Sequence, residues 1–141
     1  YRKWKMLGAA LTAETVIDDM EQVLSSMRTG SGLSQTVAFG KQHGLAYIAY
    51  EAGQHIQPEG QAELPYNAAL TAAQTHPRMY DLYLELLRLN RDLGCSLFAN
   101  FSSIGSQGTR HGSWGVKARY DISDADSPKM RALLDCNLAR G

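Results

Sequence analysis

The sequence predicts a single domain of mixed α/β class with parallel strands, and three observations carry that prediction. Two short apolar runs, Leu45–Tyr50 and Cys95–Phe101, each read as a strand. A long amphipathic stretch, Pro77–Leu93, separates them and reads as a helix. Strands alternating with helices imply parallel pairing through right-handed crossovers. The length of 141 residues is one domain's worth of chain, and the ordinary composition, 44% hydrophobic and 20% charged, belongs to a globular protein rather than a disordered or coiled-coil one.

The first predicted helix runs from Thr12 to about Met27. Val16, Ile17, Met20, Val23, Leu24 and Met27 recur at helical spacing, and Thr12 is the N-cap. Thr29-Gly30-Ser31-Gly32 ends it, and a second helical piece follows from Leu33 to Gln42. The run LAYIAY then has the near-continuous apolar character of a strand buried on both faces. Residues 57–75 hold Pro58, Gly60, Pro65 and Asn67, and read as a long loop with a short helix from Asn67 to Gln74. Loops of this length in a compact domain commonly carry function.

The helix from Pro77 to Leu93 turns Met79, Leu82, Tyr83, Leu86, Leu89 and Leu93 inward, with Gly94 as its stop. CSLFANF is the second strand. A glycine-rich loop follows, containing Gly105, Gly108, Gly112 and Gly115 together with Arg110, His111, Ser113 and Trp114; residues 116–122 extend briefly. Ser127-Pro128 opens a last helix to about Ala139. Two parallel strands alone leave edges unpaired, so the fold is expected to be completed by other copies of the chain, as a homo-oligomer, or by further chain.

Charge and motifs exclude several classes. Lys plus Arg equals Asp plus Glu at 14 each, so the electrostatic footprint of a nucleic-acid binder is missing. No apolar run approaches the roughly 20 residues that span a bilayer, and no signal-peptide pattern opens the chain. A start without methionine is read as a processed or trimmed product. CxxC, HExxH, Walker and GxGxxG motifs are all absent, so neither a metal nor a cofactor is expected. Cys95 and Cys136 are expected as free, buried thiols, with one bridge left open.

Parallel strands share a C-terminal face, where α/β folds place their chemistry. Glu51, directly after the first run, is aimed there by a rigid support; a carboxylate so held suits a nucleophile or general base, or else caps a backbone amide or pairs with an Arg. Gly53 lets the chain turn and a ligand approach closely. Gln54 and His55 offer hydrogen bonds, and Trp114 offers a flat indole face that either stacks on a sugar or plugs the fold. Tyr50, Phe101 and Asn100 lie in the strands, and His111 and Arg110 in the second loop. His43 and His76 stand at helix ends, where structural roles suffice.

AYIAYEAGQH resembles the seventh strand of retaining glycoside hydrolases with a (β/α)8 barrel, in which a Glu at that place is the nucleophile. It is also similar to a group of bacterial proteins, described as glycosidases or cellulose-binding proteins, with a Tyr-Glu-Gly-Gly motif, here Tyr50-Glu51-Ala52-Gly53. HPRMYDLYLELLRLNRDLG then resembles helix seven, CSLFANF strand eight, and GSWGVKARYD the segment that brings a Trp to the sugar site.

The resemblance implies the last third of a barrel. It implies Glu51 as nucleophile, with Tyr50, Gln54, His55, Asn100, His111 and Trp114 around a polysaccharide or oligosaccharide, and a secreted or periplasmic location. The family's acid/base carboxylate, which ends strand four, has no counterpart here; Glu59 and Glu63 are the loop carboxylates to weigh in its place. Two further readings stand beside the enzyme. One is a carbohydrate-binding module gripping a glycan with Trp114, Tyr50 and Tyr66; the other is a structural, self-associating fragment.

Overall fold

The computed structural model describes residues 2–30, 32–59 and 63–138; Ser31, Gly60 and Ala139 of the readings above lie outside them. The order is α1 (Arg2–Leu7) with a short 3-10 turn (Gly8–Ala10), α2 (Ala13–Arg28), α3 (Gly32–Gln42), β1 (Tyr47–Ala52), α4 (Asn67–Ala73), α5 (Met79–Asp92), β2 (Cys95–Asn100) and α6 (Pro128–Leu138). The alternation predicted from sequence is present, and β1 pairs with β2 in parallel. The mixed α/β class is therefore as expected. The helix α1 was not expected: its one buried apolar residue, Trp4, gives no periodic signal.

Thr12 caps α2 as read, its hydroxyl accepting from the Thr15 amide at 3.2 Å. Val16, Ile17 and Leu24 are buried by packing of α2 on α4 and α5. Arg78, just before α5, ties the same helices from outside, its guanidinium reaching Glu14, Asp18 (2.8 Å) and Glu21 (2.6 Å) along one face of α2. In α5, Met79, Leu82, Tyr83 and Leu89 are buried as the helical period demands, and α6 packs beside them. The core is a helical one: Trp4, Leu11, Ile17, Ile56, Leu70, Met79, Leu82, Tyr83, Val116 and Ala132 belong to it, and no residue of β1 or β2 does.

The strands correct the sequence reading in two ways. First, β1 starts and ends two residues later than the apolar run, so Glu51 lies inside the strand's last pair rather than after it. Second, β1 is not buried on both faces. Tyr47 turns towards the helices and donates its hydroxyl to Asn90 of α5 at 2.5 Å. The opposite side carries Ile48 at 51% and Tyr50 at 74% exposure. Among the described residues the sheet has only these two strands, so helices cover one face and nothing covers the other.

Pairing runs Ala49 to Phe98 and then Ala52 to Asn100, so β1 carries one residue more than β2 over that interval. Such a bulge breaks the two-residue alternation and re-aims side chains at a strand end. Tyr50 and Glu51 are consequently both exposed, though neighbours in a regular strand would face opposite ways.

The stretch 116–122 forms no strand; only an isolated parallel bridge joins Ile104 to Lys117. Here the chain doubles back so tightly that a Cβ on Gly115 would stand 2.3 Å from the Gly105 nitrogen. Cys95 and Cys136 are free and half-buried rather than buried, and line one cavity of about 210 Å³ between β2 and α6.

Candidate functional site

The C-terminal ends of β1 and β2 lie side by side, and the loops that leave them meet. Together they form a cleft of about 250 Å³ lined by Glu51, Ala52, Gly53, His55, Phe101 and Trp114. The His55 and Trp114 rings are tilted at 47° with centroids 5.0 Å apart. Phe101 meets Trp114 edge-on at 6.0 Å. Three of the seven residues expected around a ligand, Glu51, His55 and Trp114, are thus in one place.

Glu51 makes no hydrogen bond or ion pair to any described residue, so neither the backbone-capping role nor the Arg partner weighed from sequence is observed. Its carboxylate is available to a ligand. Trp114 is held by two devices. Its indole N–H donates to the His111 carbonyl, and its ring lies over Gly112, where a Cβ would come within 3.2 Å of the indole. Gly112 has φ +103°, a conformation that excludes most other residues.

The remaining expected residues are elsewhere. Gln54 is 3% exposed and faces the interior: its Nε2 donates to Gln74 Oε1 (3.1 Å) and to the Ser113 carbonyl (2.8 Å), and its Oε1 accepts from the Ile56 amide (2.7 Å). Every hydrogen-bonding group of its amide is engaged inside, so it does not meet a ligand. Asn100 accepts from the Tyr83 hydroxyl at 2.8 Å and donates to the Ser102 carbonyl at 3.3 Å. Tyr50 projects from the open sheet face and does not line the cleft. His111 contributes its carbonyl, while its ring accepts from Arg110 Nε at 3.0 Å. Tyr66 is 3% exposed and its hydroxyl has no described partner, so it offers no stacking face to a glycan.

Gly53 is required for a different reason from the one its sequence position suggests. A Cβ there would come within 2.9 Å of the Tyr83 hydroxyl and 3.4 Å of Asn100 Oδ1, at φ +142°. The close approach that needs glycine is internal. Burial holds the Tyr83 hydroxyl far above its usual range, so it serves as a donor throughout.

Glu59 is bound to Lys5 at 2.6 Å beside another cavity, and neither it nor Glu63 lines the cleft. The cleft therefore holds one carboxylate. Among the described residues no group of three or more His, Cys, Asp or Glu converges, and no helix is long and apolar enough to cross a membrane.

The sequence reading missed Lys129. It is 1% exposed under the cleft, its Nζ donating to Gln74 Oε1 (2.9 Å) and to the Ser113 carbonyl (3.1 Å). A lysine at the second position of a helix gives no signal of burial; only the neighbouring Met130 and Ala132 hint at which way α6 turns.

Comparison with family models, with curated proteins and with solved structures finds no match to this chain. The fold and cleft define it as a mixed α/β chain with an aromatic-walled pocket at the ends of a parallel strand pair.

Proposed function

We propose that the cleft binds one sugar unit of a polysaccharide or oligosaccharide and that Glu51 faces its anomeric carbon, as the nucleophile does in retaining glycoside hydrolases. The observation that carries this reading is the convergence of an unpaired carboxylate with the rings of Trp114 and Phe101. An apolar wall excludes water from one side of a sugar ring, and the carboxylate meets the developing positive charge at C1. In this reading His55, which lines the same cleft, hydrogen-bonds a ring hydroxyl.

Retaining hydrolysis also needs a proton donor about 5–5.5 Å from the nucleophile. The cleft holds no second carboxyl group to fill that role. Turnover then requires an acid from outside the described residues, and without one the chain binds glycan and does not cleave it. This second reading rests on the single carboxylate. A secreted or periplasmic setting belongs to either, through the substrate.

Intact mass after incubation with 2-fluoro glycosides bearing a dinitrophenyl leaving group separates the two. That leaving group departs without protonation, so the missing acid is bypassed, and the fluorine slows the second step. A covalent adduct on the wild type, absent in Glu51→Gln, establishes the nucleophile. No adduct, with glycan binding that survives Glu51→Gln and falls at least about tenfold, or 1.4 kcal/mol, in Trp114→Ala, establishes the binding module. Neither adduct nor binding by a folded chain defeats the proposal.

A further inference from the structure

Beneath the cleft lies a closed ring of four hydrogen bonds. Two donors, Gln54 Nε2 and Lys129 Nζ, each bond the same two acceptors, Gln74 Oε1 and the Ser113 carbonyl, at 2.8–3.1 Å. Each acceptor oxygen has two lone pairs, and both are used. Gln54 has two N–H groups on Nε2, and both are used. The remaining Gln74 group, its Nε2, donates to the Leu70 carbonyl at 3.2 Å.

The count leaves room for two N–H groups from Lys129. An amine supplies two; an ammonium supplies three, and the third finds no acceptor among the described residues. No carboxylate reaches Nζ either. On α6 itself, Arg131 lies over the Tyr80 ring and Asp135 accepts from the Tyr80 hydroxyl. Just before α6, Asp126 is bonded to Ser123 and Asp124 to Lys117. After α4, His76 pairs with Glu14, and on the two cleft loops His55 contacts Gln57 and Trp114 while Arg110 bonds His111. Burial without a counterion pushes the Lys129 amine down to about 7.

The ring's members adjoin the cleft in the chain. Gln54 stands between Gly53 and His55, and Ser113 precedes Trp114, three residues that line the cleft. We propose that Lys129 is a positioning residue: with two N–H groups it ties Gln74 to Ser113, the two acceptors that also hold Gln54, and so sets His55 against Trp114, and the third N–H of an ammonium, with no acceptor in the ring, disturbs that tie, making the shape of the cleft respond to pH. The inference concerns the geometry of the two loops and holds whatever ligand the cleft takes.

The test follows the indole N–H of Trp114, identified by its loss in Trp114→Phe, in ¹⁵N–¹H spectra across neutral pH without any ligand. The wild type is expected to show an inflection near 7 in that resonance. Lys129→Met, which keeps every other titrating group around the cleft but removes both N–H donors of the tie, is expected to abolish the inflection and to hold the resonance away from its alkaline position. The same inflection in Lys129→Met, or none in the wild type, overturns the proposal. Should Lys129→Met not fold, ¹³C at lysine Cε in the wild type decides. One lysine signal must titrate with the midpoint of the indole, and a mismatch of the two midpoints overturns the proposal equally.

Discussion

The helix α5 and the strand β1 are both rich in apolar residues and have opposite fates. In α5, Met79, Leu82, Tyr83 and Leu89 are buried in the core where α5 packs on α2 and α6. In β1, Ile48 and Tyr50 stand in solvent, and their neighbours on β2, Leu97 and Phe101 beyond it, are about half exposed. A helix gathers its apolar residues on one stripe, which one layer of neighbours covers. A strand divides them between two faces, and a two-stranded sheet with helices on one side can cover only one. Apolar content alone therefore says nothing about burial; the number of layers decides it. The cleft lies where the covered side gives way to the open one, with the end of β1 and the loops beyond the two strands supplying its walls.

The largest expected effect tests that contrast directly. Met79→Ala removes a fully buried side chain from the helical core and is expected to destabilise the fold by about 2–5 kcal/mol. Ile48→Thr on the open face is expected to stay within about 0.5 kcal/mol. Urea unfolding of both variants checks the pair. A cost at Ile48 as large as that at Met79 would mean that the sheet face is covered in solution.

The second effect is of similar size and depends on pH. In the unfolded chain Lys129 keeps its proton up to the ordinary 10.5, whereas in the fold it loses it near 7. Between these values the unfolded state binds more protons, so stability rises with pH, by on the order of 1.4 kcal/mol per unit at most. Below 7 both states are protonated and Lys129 contributes no slope. Tyr83, raised by burial, acts in the opposite direction only above the 10.0 of an unfolded tyrosine. Thermal melts from neutral pH to 10 are expected to show rising Tm in the wild type and a flatter profile in Lys129→Met.

How far the sequence disclosed this molecule follows from the same contrast. The amphipathic α2 and α5, with their regular period, were legible to within two residues, as was the parallel order of the strands. Burial of β1 was not, because an apolar run looks the same whether one or two layers cover it. In the cleft, Glu51, His55 and Trp114 were legible from residue type and from their place at or beyond the C-terminal ends of the strands. Gln54 was not: an amide beside a candidate nucleophile looks like a ligand contact until its partners, Gln74 and Ser113, arrive from distant segments. Lys129 was illegible for the same reason, since its burial is decided by three elements far from it in sequence. Nor could the bulge that exposes Glu51 together with Tyr50 be seen, because register belongs to the pair of strands.

The smallest expected effects sharpen the boundary between the two regions. Gly53→Ala places a methyl against the Tyr83 hydroxyl at a backbone angle that alanine rarely adopts, and is expected to cost about 1–3 kcal/mol. Because Tyr83 belongs to the core and Gly53 to the cleft, the strain must be relieved on one side or the other. Pairing the variant with Tyr83→Phe, which removes the opposing oxygen, distinguishes the two. If the contact is the source, the double variant recovers part of the loss, and the two substitutions are non-additive. If φ alone is the source, the costs add, and the cleft end of β1 is held by its own backbone rather than by the helix beneath it.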